Sequence, residues 1–296
     1  MPQSIVAELL RVNRAQLQGI INLGGVRKMR RVYDKVLVEL EAKLSELNRA
    51  GKGQTFSAFH LHQVLAQVKS GVVQVSQNIG QALPMNARVA ANLAKDHHVR
   101  AIKRLEKKFA GTEPILRVEE AAVFSKVYKG VEPSLLDRYH KLKVNYPMPT
   151  IVRARETLAQ SLLSNHTVDE ATSKLMGVMQ SDWYRAERIV RTEMSYAYGV
   201  TNQACLEKTA AQVPQLMKRL VATFDARTGA DSKKLNGQTV PVDAPFIWLR
   251  EGPGGVERVE YMQPPNRPND REVVIPWRGV YKGGTGEPGP VQARLP

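Results

Sequence analysis

Apolar residues recur every three or four positions through the first two-thirds of the chain, the spacing of one helical face. Between residues 27 and 49 the series is Met29, Val32, Val36, Leu40, Leu44 and Leu47, closed by the Gly51-Lys52-Gly53 break. A second run, residues 55–83, carries Phe56, Phe59, Val64, Val68, Val72, Val75 and Ile79, with Pro84 expected to end it. Further helices are expected over about residues 86–109, 118–128, 133–143 and 149–163. Thr167-Val168-Asp169-Glu170 has the spacing of a capping box, so a new helix should start there. A long helix is then expected from about Asp182 to Thr209.

The period changes near Lys218. Residues 219–224, 238–242, 246–250, 256–261 and 272–277 are short runs rich in β-formers, separated by Gly, Pro and Asn. Asn236-Gly237 is a turn signal, and Val259 and Tyr261 should share one strand face. Residues 283–290 are almost all Gly and Pro, the composition of a flexible tail. The expectation is an α+β chain: a helical region over 1–180, a small α+β module with a short antiparallel sheet over 181–281, and a tail over 282–296.

Composition adds a partner class. The chain has 296 residues, 43% of them hydrophobic and only 6% aromatic, which suits a helical core of Leu, Val, Ala and Met. Lys and Arg outnumber Asp and Glu by 43 to 28, a net charge of +15, which points to a polyanion and to duplex DNA first. A single cysteine, Cys205, excludes an internal disulfide and a Cys-rich zinc site. No stretch approaches the ~18 apolar residues of a membrane span, and the N-terminus does not read as a signal peptide, so a soluble protein is expected.

The sharpest electrostatic feature lies at residues 99–109. Arg100, Lys103, Arg104, Lys107 and Lys108 fall on one helical face, and Val99, Ile102, Leu105 and Phe109 on the other. Such a helix can lie along phosphates or a membrane surface, or present an ordinary solvated surface. Arg27, Lys28, Arg30 and Arg31 form a second basic cluster. With little aromatic interleaving, contact to duplex phosphates is the better fit than base stacking. The histidines make no metal site: His60 and His62 are two apart, and His97 and His98 adjacent, so neither pair shares a helix face. Solvated histidines are the default expectation.

Three segments occur in order in the last third. A helix holds Arg188-Ile189-Val190-Arg191-Thr192-Glu193. A strand–loop–strand holds Asp225-Ala226-Arg227-Thr228 and then Leu235-Asn236-Gly237 with Val240-Pro241. A final loop holds Pro264-Pro265-Asn266-Arg267-Pro268-Asn269-Asp270-Arg271-Glu272. This order resembles the Mu F-like family of phage head morphogenesis (minor head) proteins over residues 180–278. Many members carry Cys or His in the two loops, a pattern that suggests metal ligation. Here the matching positions hold Gly229 and Ser232, and Arg267, Asp270 and Glu272, which are poor ligands for zinc. No metal and no cofactor are expected, with salt bridges and hydrogen bonds closing the loops instead.

Other readings of these residues stay open. Glu187 can pair with Arg191, so Arg188, Arg191 and Glu193 could contact a partner or join helix to sheet internally. Asp225, Arg227, Asp270 and Arg271 could converge as stapled loops or, less simply, as a divalent-metal hydrolase centre. The resemblance implies a non-enzymatic minor head protein of the virion. It would act at the portal vertex during capsid assembly and DNA packaging, in the host cytoplasm during assembly and then in the virion, in the head interior or at the portal vertex. Its partners would be the portal protein, the major capsid or scaffolding protein, and double-stranded DNA, with no membrane and no small-molecule substrate. A DNA-binding protein ejected with the genome is the alternative, and a metal-dependent hydrolase the third reading.

Overall fold

The computed structural model describes residues 12–13, 15–50, 56–108, 126–213, 215–222, 228–252, 255–267, 270 and 272–277. The fold is α+β, with long helices followed by short antiparallel strands. Helical residues 15–20 lead through a π-helical turn, Ile21–Val26, into α1, Arg27–Ala50. Then come α2, Ala58–Lys108, α3, Val127–Asn145, and α4, Pro147–Leu163. The longest element after α2 is α5, Val168–Ala210. Strands β1, Met217–Val221, β2, Thr239–Pro241, β3, Phe246–Gly252, β4, Gly255–Tyr261, and β5, Val273–Trp277, follow, with the short α6, Ala230–Leu235, between β1 and β2.

The periodic faces are the buried ones. Met29, Val36 and Leu40 of α1 and Val64, Val68, Val72, Val75 and Ile79 of α2 all lie in one core. Phe59 is a correction: it is 65% exposed, because the buried face at that turn is taken by His60. The Leu44 and Leu47 side chains, the Gly51–Gly53 break and most of the helix expected over 118–128 lie outside the described residues.

Two prolines do not stop their helices. Pro84 sits inside α2, which runs on to Lys108. Leu83 and Ala87, on either side of Pro84, are at most 1% exposed, so burial outweighs the ~3 kcal/mol that an interior proline costs. Likewise α3 starts six residues before Pro133, at Val127.

The capping box at Thr167 forms as expected. Thr167 Oγ1 accepts from the Glu170 N–H at 3.3 Å, and Glu170 Oε2 accepts from the Thr167 N–H at 2.8 Å. From that start α5 runs unbroken past residue 180 and into the segment that precedes the sheet.

The sheet is ordered β2-β1-β5, all antiparallel, and β3 pairs with β4 as a separate ribbon. Strand β5 is buried on both faces. Val273 and Ile275 enter the large helical core, while Val274 enters a second core with Ile102, Leu206, Leu220 and Phe246. The period of two therefore sends alternate side chains of one strand into two different cores. Val259 and Tyr261 both pack against the second core, as their shared face requires. Asn236-Gly237 turns the chain after α6 rather than between two paired strands, with Gly237 at φ +89°. Among the described residues, no helix is long and apolar enough to cross a membrane.

Candidate functional site

The loops that follow β1 and β4 meet through one arginine. Arg267 Nη1 donates to Asp231 Oδ2 at 2.7 Å, and its Nη2 donates to Ser232 Oγ at 2.8 Å. A β-carbon at Gly229 would lie 2.6 Å from the same guanidinium, so glycine there makes room for the staple. Charge-assisted bonds of this kind hold the positions that the resemblance associates with metal ligands.

Behind the staple, Asp270 and Glu272 are each 7% exposed. The Asn266 N–H donates to Asp270 Oδ2 at 3.3 Å, and the Tyr261 hydroxyl donates to Glu272 Oε2 at 2.9 Å. Burial raises the Glu272 carboxyl above the usual range, and the neighbouring Asp270 raises it further; Ser232, Tyr261 and Arg267 oppose both. A cleft of about 120 Å³ opens between this loop and α5, lined by Ser195, Tyr198, Asn202, Gln263, Asp270 and Glu272 among others. Asp225, Arg227, Pro268 and Arg271 lie outside the described residues, so their expected convergence with Asp270 lies outside them too.

The helix motif joins helices. Arg191 donates to Glu187 Oε1 at 2.7 and 2.9 Å and to Asn22 Oδ1 at 2.9 Å. Glu193, 3% exposed, accepts from Arg138 Nε and Nη2 at 2.5 and 2.9 Å, tying α5 to α3. The internal network thus runs from helix to helix, where a helix-to-sheet link was expected. The reason is register: Glu193 lies midway along α5, beside α3. Thr192 Oγ1 donates to the Arg188 carbonyl at 2.8 Å, and the Arg188 side chain is exposed.

The basic helix has the two faces its spacing predicts. Arg100, Lys103 and Arg104 are exposed, while Ile102 is fully buried and Leu105 packs partly against the second core. The helix continues through Lys107 and Lys108, whose side chains, like Phe109, lie outside the described residues. At the other cluster Arg27, Lys28, Arg30 and Arg31 are exposed, but Arg30 is paired with Asp34 at 2.9 Å and lies over the Trp183 ring.

The histidine expectation is corrected. His60, His97 and His98 are buried, because each lies on the apolar face of α2 rather than its solvent face. His97 bonds Tyr198 Oη and Gln16 Oε1, both at 2.9 Å. His98 Nε2 meets Thr209 Oγ1 at 2.8 Å; that hydroxyl already donates to the Cys205 carbonyl, so the imidazole is the donor. Burial lowers His97 to about 4, helped by Arg100, and lowers His98 to about 3. Both rings are neutral at pH 7.

Two further polar centres escape the sequence reading. Asp182, 3% exposed, accepts from Tyr33 at 2.8 Å and Tyr146 at 2.7 Å, and from Thr150. Arg185 donates to the Tyr146 carbonyl at 2.9 Å, also meets Thr150 Oγ1, and lies 3.5 Å from Asp182 Oδ1. Lys218 is fully buried, donating to the Met262 carbonyl at 2.8 Å and Gln203 Oε1 at 3.2 Å. Strand alternation was the available signal, since Lys218 shares a face with Leu220. Comparison with protein-family models, with curated proteins and with solved structures finds no match to this chain.

Proposed function

We propose that this chain is a non-enzymatic minor head protein of a phage, docking on the portal protein at the vertex of a DNA-filled capsid. The major capsid or scaffolding protein would be a further contact during assembly, and packaged duplex a neighbour. The observation that carries this reading is the ordered set of three segments in residues 186–276, two of whose loops are joined by Arg267. The motif residues also divide sensibly between tasks. Arg191 and Glu193 are engaged inside the fold, whereas Arg188 is exposed and available to a partner.

A second reading, a non-specific DNA-binding protein ejected with the genome, is favoured by the exposed Arg100, Lys103 and Arg104 and by the net charge of +15. The hydrolase reading draws the least support. Asp231 is neutralised by Arg267, and Glu272 and Asp270 accept hydrogen bonds from protein donors.

The test is co-expression of the full chain with the portal protein of the same genome. Wild type should co-purify with portal, and Arg188→Glu should weaken capture at least tenfold with an unchanged melting temperature. Salt-sensitive DNA binding without any portal capture would replace the first reading by the second. Metal-dependent cleavage of a substrate would replace both.

A further inference from the structure

The basic surface continues beyond the helix on which the spacing reveals it. The first residue of α3, Val127, packs with Cys205 of α5 in a small apolar cluster, with Val99 of α2 and Ala204 of α5 against it. Lysines neighbour the members of that cluster in sequence on each of the three segments. Val99 stands at the edge of the apolar face, and Lys95 and Lys103, four residues before and after it, are its neighbours one turn away in each direction. Lys208 follows Ala204 by four residues and Cys205 by three, on the corresponding face of α5. Lys126 is the residue immediately before Val127, at the N-terminus of α3.

We infer that Lys95, Lys103, Lys126 and Lys208 form one composite phosphate-binding patch, built by three helices, that lies along the backbone of duplex DNA. This rests on the DNA contact in the proposed function and names the surface that makes it. Three observations favour it over the sequence-local cluster at residues 27–31. First, no ion pair among the described residues ties any of these four lysines to a carboxylate, whereas Arg30 is paired with Asp34 at 2.9 Å. Second, the carboxylate next to Lys208, Glu207, binds Gln203 at 2.9 Å and faces the buried Lys218 instead. Third, Lys95 and Lys208 both lie close enough to the Cys205 thiol to act on it by charge.

Scale also fits a duplex. Lys95 and Lys103 are separated by about 12 Å of helix rise, comparable with the ~12 Å major groove whose rims carry the phosphates. Asp96 and Glu207 are the acidic residues adjacent in sequence to these lysines, and with Glu207 turned to Gln203 the four-lysine group stays positive. The core of the patch is the Val99–Val127–Cys205 cluster, with Val127 and Cys205 buried and Val99 partly so, and these three residues offer no aromatic ring for stacking bases or entering a bilayer.

Fluorescence anisotropy of full-length protein with two unrelated labelled duplexes, over a salt series, tests the patch. Three variants are needed: Lys95, Lys126 and Lys208 all changed to Gln, the same three changed to Arg, and a control with exposed Lys69, Arg155 and Lys174 changed to Gln. Each neutralised phosphate contributes about −0.9 to the slope of log affinity against log salt. The patch Gln variant should therefore lose about 2–3 units of slope on that rule. The Arg variant should keep its slope, and the control should lose less than one unit. Equal losses in patch and control variants would show bulk charge at work and overturn the patch. So would an unmoved slope in the patch variant of a binding protein, or a strong preference for one duplex. Tight binding to anionic phosphatidylserine vesicles with no duplex binding would overturn both patch and DNA contact. A wild-type chain without salt-dependent affinity for duplex would remove the DNA contact itself, and the patch with it.

Discussion

The carbonyl oxygen of Pro264 occupies the place where a β-carbon at residue 199 would stand, so glycine alone lets the final loop close on α5. Contact is with backbone, which cannot swing aside as a side chain could. Tyr198 and Asn202 on the same helix surface line the cleft beside this loop, and Asn202 Nδ2 donates to the Val274 carbonyl at 2.8 Å. Gly199→Ala is therefore expected to destabilise by the upper end of the ~1–3 kcal/mol typical of overpacking, or more. Urea denaturation would measure it, and a loss below ~0.5 kcal/mol would mean that the loop moves freely.

The Asp182 carboxylate holds together helices from distant parts of the chain, with Tyr33 in α1, Tyr146 and Thr150 at the α3–α4 corner, and Arg185 one turn along α5. Asp182→Ala would take the carboxylate acceptor from the Tyr146 and Thr150 hydroxyls and the counter-charge from Arg185, while Tyr33 would keep the Met179 carbonyl. About 3–5 kcal/mol should be lost, as when one partner of a buried charged group is removed. Asp182→Asn keeps one carbonyl acceptor and should cost less. Equal stability of wild type and Asp182→Ala in chemical denaturation would contradict this.

Stability should rise with pH on two separate arms. His97 and His98 are held down at about 4 and about 3, so below their ordinary 6.5 the unfolded chain binds protons that the folded chain refuses. Stabilisation is thus complete above pH 6.5 and falls as pH drops, by about 1.4 kcal/mol per unit for each histidine. On the alkaline side, burial holds Lys218 down at about 8, against the raising effect of Glu207 and Asp243. Between about 8 and 10.5 the unfolded chain again binds the extra proton, so stability should climb from about pH 8 until the Cys205 thiol, raised by burial from 9.0 to about 12, offsets it above 9.0. The buried Tyr33, Tyr139 and Tyr146, all raised by burial, reverse that gain above their ordinary value of 10.0. Denaturation midpoints from pH 3 to 11 would show both arms. Lys218→Met should flatten the rise above pH 8, and His98→Gln should lessen the acid slope; an unchanged profile in either variant would refute its assignment.

The staple makes a direct prediction about metal. Arg267 places a positive charge beside Ser232 and Asp231, where a divalent cation would be repelled. Purified protein should carry no stoichiometric zinc, and chelator should leave the melting temperature unchanged. Arg267→Ala, by contrast, should lower it, since it leaves Asp231 unpaired at the loop closure. About one zinc per chain by elemental analysis would defeat this account.

A design detail follows from α5. Because Val168–Ala210 is one helix whose Leu175, Met179, Ala186 and Met194 share a single core, a cut at residue 180 would split that core. Docking experiments on this chain therefore need point variants rather than fragments.

Local pattern by itself determined the helical faces of α1 and α2, the capping box at Thr167, the strands of the last third and the two-faced basic helix ending α2. Each depends on the spacing of neighbours in sequence, which a period of 3.6 or 2 reports directly. Tertiary structure alone decided the rest. Pro84 and Pro133 stay inside helices because burial outweighs a lost backbone bond, and His97 and His98 are neutral because other helices cover them. Lys218 and Asp182 are buried with partners far away in sequence, and Val99, Val127 and Cys205 come together only when three helices pack. Such groups share no local spacing, because a polar side chain inside a fold is stabilised by whatever donors and acceptors packing brings to it.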